Sequence, residues 1–437
     1  MNRRQFIQAG AAAPLAALAH RRAQGEAMPT RPSLLFLFTD DQRADTVAAL
    51  GNPHIKTPNL DGLVARGFHF TNVYCMGSMV GAVCLPSRTM LMTGQSLWRI
   101  PVGRDAKPGP ATPVLPAALR AAGYVTFRTG KRGNTCAFAN AAFDSNTNDG
   151  DKREPDSSKR HADRVIAFLK ARDRQRPFFV CASFDKPHDP RRARPEFVKL
   201  YDPQAVPLPP NFMPEHPFDN GELRIRDEML AAFPRTPEEV RRHIADYWAC
   251  VSDLDHEVGR ILQTLHETGQ TDQTIVVFSS DQGLAIGSHG LMGKQNLYEH
   301  FKSPLIVAGP GIAQGRSDAL VYLFDLFPTF CEWAGAAVPA AVEGRSLAPL
   351  ARGEKPAWRQ TLGAAYKDCQ RMARDGRWKL LWYPKIGTFT LFDLSADPFE
   401  LKDLAGAPAQ AETLAGMKRA LAAWQESFGD PGPRVGP

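Results

Sequence analysis

The sequence predicts an α/β protein: a mainly parallel, doubly wound sheet flanked by helices, with a smaller C-terminal α+β domain built on an antiparallel sheet. Three observations predict it. Apolar, β-rich runs recur with continuous rather than alternating hydrophobicity, as in strands covered on both faces. Segments of helical period separate these runs. After about residue 340 the texture changes to hairpin signals and a terminal helix. A chain of 437 residues, 43% apolar and 23% charged, has ample core for this and is neither a disordered chain nor a disulfide-stapled miniprotein.

In chain order, residues 1–27 read as an export signal. Arg3 and Arg4 precede Phe6, and an alanine-rich stretch with small residues at Ala17 and Ala19 follows. The paired arginines match the twin-arginine type, so the expected partner is that export machinery and the expected location periplasmic or extracellular. The stretch is too short to span a bilayer, and no later segment is apolar for long enough, so no stable membrane span is expected. Residues 31–335 form the α/β domain, with strand-like runs at 34–38, 124–127, 178–181, 275–278 and 305–307. Helical segments are expected at 113–122, 161–171 and 238–268. Residues 186–236, rich in proline and charge, leave the sheet for long enough to cover a site or shape its specificity. Residues 336–437 form the second domain, with Asp375-Gly376 at a hairpin and a helix over about 408–428.

The net charge of +7 is small and dispersed, and Arg3, Arg4, Arg21 and Arg22 contribute to it from the N-terminal segment. Nucleic acid is therefore not the expected partner, while an anionic substrate is compatible. Seven cysteines without Cys-x-x-Cys or Cys/His spacing exclude a structural zinc site. Cys181 and Cys250 lie in apolar runs and read as core residues; Cys84 does not.

Ligands of an open parallel sheet bind beyond the carboxyl ends of its strands. Four runs end there on chemistry-bearing residues: Asp40-Asp41, Lys131, His188 and Asp281-Gln282. Three converging carboxylates need a cation to remain ionised together. Asp40, Asp41, Asp281 and Gln282 offer the oxygen donors that Ca²⁺ prefers, with Mg²⁺ the lesser fit. Cys84-Leu85-Pro86-Ser87-Arg88 places Cys84 just before a helix whose first turn holds Pro86. That helix end and Arg88 favour an anion beside the thiol. On these grounds alone a reactive and a merely buried thiol are equally admissible.

Cys84-x-Pro86-Ser87-Arg88, followed by Leu91 and Thr93-Gly94, resembles the sulfatase signature of the alkaline phosphatase superfamily. Asp40-Asp41-Gln42-Arg43, Thr57-Pro58-Asn59-Leu60-Asp61, Gly130-Lys131, Pro187-His188-Asp189-Pro190, Ser280-Asp281-Gln282-Gly283 and Gly293-Lys294 through Glu299 are similar to its other motifs in the family's order. Leu391-Phe392-Asp393-Leu394 through Leu404 resembles its C-terminal domain. The resemblance implies a sulfuric-ester hydrolase in which a maturation enzyme converts Cys84 to formylglycine. One hydroxyl of its hydrate, bound to a Ca²⁺ that Asp40, Asp41, Asp281 and Gln282 also hold so that position 84 is itself a metal ligand, attacks sulfur. Arg88, Lys131 and Lys294 then neutralise sulfate oxygens and His188 protonates the leaving alcohol. His289 and Asn134 are the further substrate-binding candidates. One departure stands out: Gly133 occupies the position where the family places a second histidine, so the base for releasing sulfate is open. The expected substrate is a sulfated carbohydrate or other sulfated small molecule, and Arg191, Arg192 and Arg194 suit a polyanion. The alternatives are a phosphonate monoester or phosphodiester hydrolase of the same superfamily, or a degenerate protein that binds sulfated glycans without cleaving them.

Overall fold

The central strand, β1 (Ser33–Asp40), is buried along its whole length. Successive strand residues face opposite ways, and both faces are covered: Leu34, Phe36 and Phe38 enter one apolar core, Leu35 and Leu37 another. The computed structural model describes residues 31–103, 106–148 and 154–436, so the export segment lies outside the described residues. The other strands are β2 (Phe68–Tyr74), β3 (Gly77–Ser78), β4 (Val125–Gly130), β5 (Ser145–Thr147), β6 (Phe178–Pro187), β7 (Thr274–Ser280), β8 (Leu305–Ala308), β9 (Gly315–Tyr322), β10 (Leu362–Tyr366), β11 (Gln370–Arg374), β12 (Trp378–Tyr383) and β13 (Thr388–Asp393). Eight of them form a sheet in the order β5-β4-β6-β1-β7-β8-β2-β9. Its pairings are parallel except where β8 runs antiparallel to β7 and β2.

Helices α1 (Pro58–Arg66), α2 (Cys84–Thr93), α3 (Ser157–Ala171), α4 (Pro237–Glu267), α5 (Leu326–Ala334) and α6 (Ala411–Phe428) do most of the covering. Leu60 and Leu63 of α1, Val165 and Leu169 of α3, and Leu254, Val258, Ile261 and Leu265 of α4 pack on one face of the sheet. Phe327 and Phe330 of α5, with the second sheet, close the other. α4 starts where Thr236 accepts the Glu239 N–H (3.2 Å) and Pro237 needs no hydrogen-bond partner. Its first half leaves the sheet, and Ile244, Tyr247 and Val251 pack instead beneath the proline-rich excursion, against Tyr201 and Val206.

The five runs read as strands fall on β1, β4, β6, β7 and β8. β2 and β9, at the far side of the sheet, went unread because such strands are only partly covered. β9 opens on the polar, exposed Gly315-Arg316. The second sheet, in the order β13-β12-β11-β10-β3, is antiparallel except that β3 adds to β10 in parallel. That pairing requires glycine at position 77: φ is 101°, and a Cβ would lie 1.9 Å from the Ala365 carbonyl oxygen. The segment just ahead of Cys84 is thereby joined to the C-terminal sheet. Among the described residues no helix is long and apolar enough to cross a membrane.

Candidate active site

Register brings the site together. Asp40 lies opposite Pro187, Thr39 opposite Ser280, and Gly130 opposite Ser183. The turns leaving β1, β4, β6 and β7 therefore emerge along one edge of the sheet. Asp41 takes φ 64°, a conformation costly for a residue with a side chain. It is held there by its N–H donating to Asp281 Oδ1 (2.9 Å) and by the Tyr247 hydroxyl donating to its carbonyl (2.6 Å).

Cys84 is the first residue of α2 rather than the residue before it, and Pro86 falls two positions on. Its Sγ is 3.2 Å from Asp40 Oδ1, 3.6 Å from Asp41 Oδ1, 3.0 Å from Gln282 Nε2 and 3.4 Å from Lys294 Nζ. Asp40, Asp41, Cys84 and His188 each offer a ligand atom, all within 4.8 Å of one another. Burial, and then the charges of Asp281, Asp40 and Asp41, push the Cys84 thiol well above its ordinary range, so it is not a ready thiolate.

Cations answer the carboxylates. Lys131 Nζ contacts Asp40 Oδ2, and Lys294 Nζ donates to Asp41 Oδ2 (2.7 Å). Burial opposes ionisation of Asp40, but Lys131, His188, Arg88 and Lys294 hold its carboxyl well below the usual range. Asp281 goes the other way, raised by burial and by Asp40 and Asp41 against the pull of Arg88. Arg88 is central but committed. Its Nε donates to Asp281 Oδ2 (2.8 Å), while its terminal nitrogens donate to Ser183 Oγ (2.6 Å) and the Thr39 carbonyl (3.0 Å). Its donors are thus engaged within the protein, and its charge acts on Asp281.

The donor set suits a hard divalent cation. Asp40, Asp41, Asp281 and Gln282 are fully buried, and Gln282 Oε1 has no hydrogen-bond partner. The Gln282 amide presents Nε2 to Asp41 and Cys84; with the amide turned over, the carbonyl oxygen faces them instead. Asp281 differs from the other three donors. Its Oδ1 accepts the Asp41 and Gln282 N–H groups and its Oδ2 accepts Arg88, so it braces both acidic turns.

His188 Nδ1 lies 2.7 Å from the Asp189 carbonyl, and its Nε2 lies 3.0 Å from Lys294 Nζ. A cavity of about 410 Å³ opens beside this pair, lined also by Asn134, Glu222, Arg226, Asp227, Tyr366 and Lys367. Asn134 is therefore at the site. His289 is not among the lining residues: its Nε2 is held by Asn211 (2.9 Å) and Glu299 (3.0 Å), and its ring stacks on Tyr298 at 4.0 Å. Two of the three arginines named for a polyanion meet groups within the protein, while Arg192 is exposed. Arg194 Nε donates to Asp253 Oδ1 (2.8 Å) and its terminal nitrogen to Glu257 Oε1 (2.7 Å), while an Arg191 nitrogen lies 2.8 Å from His243 Nδ1. Sequence reasoning missed Glu222, Arg226, Asp227, Tyr366 and Lys367. They come from the excursion and from the β10–β11 turn, and no local pattern marks them.

An α/β sheet whose carboxyl edge gathers oxygen donors, a cysteine at a helix start, two lysines and a histidine defines a hydrolase of charged esters. Residues 32–336 match the model of the sulfatase family, and residues 287–427 match N-sulphoglucosamine sulphohydrolase, C-terminal. N-acetylglucosamine-6-O-sulfatase of Bacteroides thetaiotaomicron is 26% identical, with 92% of this chain and 88% of that protein aligned. Choline-sulfatase of Rhizobium meliloti is 29% identical over 86% of this chain and 83% of its own length. A solved structure of a protein in complex with its substrate D-glucosamine-2-N,6-O-disulfate superposes with a TM-score of 0.80. That match has 24% identity and covers 92% of this chain and 99% of the other. The chain belongs to the sulfatase family of the alkaline phosphatase superfamily.

Proposed function

We propose that this chain is an exported sulfatase that hydrolyses sulfate monoesters of a carbohydrate, using formylglycine at position 84 and Ca²⁺. The observation carrying this reading is the convergence on Cys84 Sγ of Asp40, Asp41 and Lys294, beside a cavity lined by His188.

Asp40, Asp41 and Gln282 would hold the cation, with Asp281 bracing the turns. The bound cation supplies a Lewis acid, and the hydrated aldehyde at position 84 supplies the attacking oxygen. Lys131 and Lys294 neutralise the ester's sulfate oxygens, exchanging part of their pairing with Asp40 and Asp41 for the substrate. His188 is oriented through Nδ1, which leaves Nε2 to deliver a proton to the departing alcohol.

The cavity wall supports a sugar over a cationic alcohol. Glu222 accepts from the Tyr366 hydroxyl (2.9 Å) and from Lys367 Nζ (2.8 Å), and Lys367 Nζ lies 5.4 Å from the Tyr366 ring centroid. A lysine already fills the place a quaternary ammonium would take. Asn134, Asp227 and Glu222 offer polar groups for sugar hydroxyls. One relative, named for an N-acetylglucosamine 6-O-sulfate, agrees with that choice.

Sulfate release from a panel of 2-, 3-, 4- and 6-O-sulfated monosaccharides tests the reading, with choline sulfate, an aryl sulfate and an aryl phosphodiester alongside. A sugar sulfate should be the best substrate and Cys84→Ala should be inactive. Faster cleavage of the phosphodiester would make the chain a diesterase instead. Binding without release on any sulfate would make it a lectin-like relative.

A further inference from the structure

His188 belongs to the first residues of the proline-rich excursion, and the far end of the same excursion returns to it. Arg226, 37 residues beyond Asp189, meets both of that residue's carboxylate oxygens with its two terminal nitrogens, one contact being 3.0 Å. This is the fork-on-fork arrangement that fixes a carboxylate in direction as well as place. Asp189 in turn sets Oδ1 3.1 Å from His188 Nδ1, the nitrogen that also lies 2.7 Å from its carbonyl oxygen. Burial opposes ionisation of Asp189, but His188 and Arg226 hold its carboxyl well below the usual carboxylate range, so it faces the ring as an anion.

Arg226 is itself held. One terminal nitrogen also donates to Asp227 Oδ1 (2.8 Å). Asp227 Oδ2 accepts from Gln295 Nε2 (2.7 Å), and Gln295 Oε1 accepts the Lys294 N–H (2.9 Å). Next in sequence, the buried Glu228 accepts the N–H groups of Met292 (2.7 Å) and Gly293 (2.9 Å). Residues 226–228 thus form a bracket: the first side chain grips the turn of His188, and the next two grip the loop of Lys294. Between them lie the two groups that meet at 3.0 Å, His188 Nε2 and Lys294 Nζ. Arg226 lines the cavity, yet carboxylates engage both its terminal nitrogens, so its effect on the reaction passes through Asp189.

We propose that Arg226 is a positioning residue for this reaction: it holds the Asp189 carboxylate against Nδ1 of His188 and so keeps Nε2 aimed at the departing alcohol. The inference rests on the reading of His188 as the proton donor. When the S–O bond breaks, its electron pair passes to the alcohol oxygen. A sugar hydroxyl is too basic to leave as its anion and takes the Nε2 proton, whereas 4-nitrophenol leaves as a stabilised anion and takes none. A misdirected His188 is therefore felt by the first substrate and not by the second.

Steady-state kinetics of the full-length active enzyme and its Arg226→Gln variant test this, with the best sugar sulfate and 4-nitrophenyl sulfate assayed on one preparation of each. For the sugar sulfate, kcat should fall by about 10- to 100-fold with KM within about twofold, and for the aryl sulfate kcat should fall by less than about twofold. The Arg226 side chain is 60% exposed, so the variant should fold, and the ratio of the two activities does not depend on the fraction folded. An unchanged ratio overturns the proposal. So does a raised KM for the sugar sulfate at unchanged kcat, which would make Arg226 a substrate ligand. Asp189→Asn, alone and combined with Arg226→Gln, is the second test. Because Arg226 acts through Asp189, the double variant should be no slower on the sugar sulfate than the slower single variant, and losses that multiply overturn the proposal. A parent enzyme that cleaves neither substrate removes the catalytic reading and this inference together, whereas any of the other adverse results, seen with an active parent, removes the inference alone.

Discussion

Lys294 Nζ stands between two groups of opposite character, 2.7 Å from Asp41 Oδ2 and 3.0 Å from His188 Nε2. Burial works against its charge, but Asp41, Cys84, Asp227 and Asp40 raise it well above the ordinary lysine range, so it stays protonated. It therefore donates to Nε2, and the histidine's own proton sits on Nδ1, facing the Asp189 carbonyl. An arriving sulfate ester competes for Lys294 and frees Nε2 to take up from solvent the proton that it then delivers to the departing alcohol. Lys294→Met should lower kcat by about 10²–10³, the cost of removing one well-placed cationic donor. The melting temperature should fall only slightly. Steady-state kinetics on an aryl sulfate check this, and an unchanged kcat would remove Lys294 from the mechanism.

Intact-mass analysis of the peptide containing Cys84 addresses the nucleophile directly. Replacing the thiol by an aldehyde removes about 18 Da. Active protein should carry that mass deficit in proportion to its specific activity. Full activity with an unmodified Cys84 would contradict the account, since the thiol in this acidic setting is held protonated.

Chelation should both inactivate and destabilise the protein, because Asp40, Asp41 and Asp281 are fully buried and repel one another without a cation. Restoring Ca²⁺ to about 100 times its Kd should return roughly 2.7 kcal/mol, read as an upward shift in the thermal transition. Mg²⁺ should restore less. A melting curve indifferent to chelator would leave Lys131, Lys294 and Arg88 as the whole answer to those carboxylates.

The centre of this site was legible in the sequence because parallel sheets put their chemistry at strand ends. Asp40-Asp41, Lys131, His188 and Asp281-Gln282 each follow an apolar run that is a real strand. What was hidden is what depends on packing between distant segments. Glu222 meets Tyr366 and Lys367 across 144 and 145 residues of chain, and nothing local in either segment announces the other. Arg88 shows its charge in the sequence but not its engagement with Asp281, Ser183 and Thr39. His289, in a glycine-flanked loop, reads either as a satisfied loop histidine or as a substrate contact, and Asn211, Glu299 and Tyr298 enclose it.

Lys367→Ala should change selectivity more than rate. With Lys367 gone, Glu222 keeps its Tyr366 hydrogen bond but loses its cation, and the cavity gains a carboxylate beside an aromatic face. The ratio of kcat/KM for choline sulfate to that for the best sugar sulfate should rise by about tenfold, on the scale of one cation–π contact with a carboxylate nearby. Parallel assays of the two substrates measure it. An unchanged ratio would show that Lys367 does not exclude cationic alcohols.

The same turn is anchored by a buried ion pair whose pH dependence can be worked out in sign. Arg371 Nε donates to Asp430 Oδ2 (2.6 Å) and a terminal nitrogen to Oδ1 (3.0 Å), with both residues 0% exposed. Another Arg371 nitrogen donates to the Lys367 carbonyl, so the pair ties the C-terminal tail to the cavity wall. Burial opposes ionisation of Asp430, but Arg371 and Gln425 hold its carboxyl below the ordinary value of 3.8. The folded chain thus binds fewer protons than the unfolded chain as pH approaches that range. This contribution is complete above an unfolded pKa of about 3.9 and is lost as pH falls through the lower folded value. Asp430→Asn leaves Arg371 buried without its counter-charge and should cost about 3–5 kcal/mol at pH 7. It should also flatten the acid limb of stability below about pH 4. Urea midpoints measured from pH 7 to pH 3 test both parts, and an acid limb as steep as that of the parent would assign the proton uptake to other carboxylates.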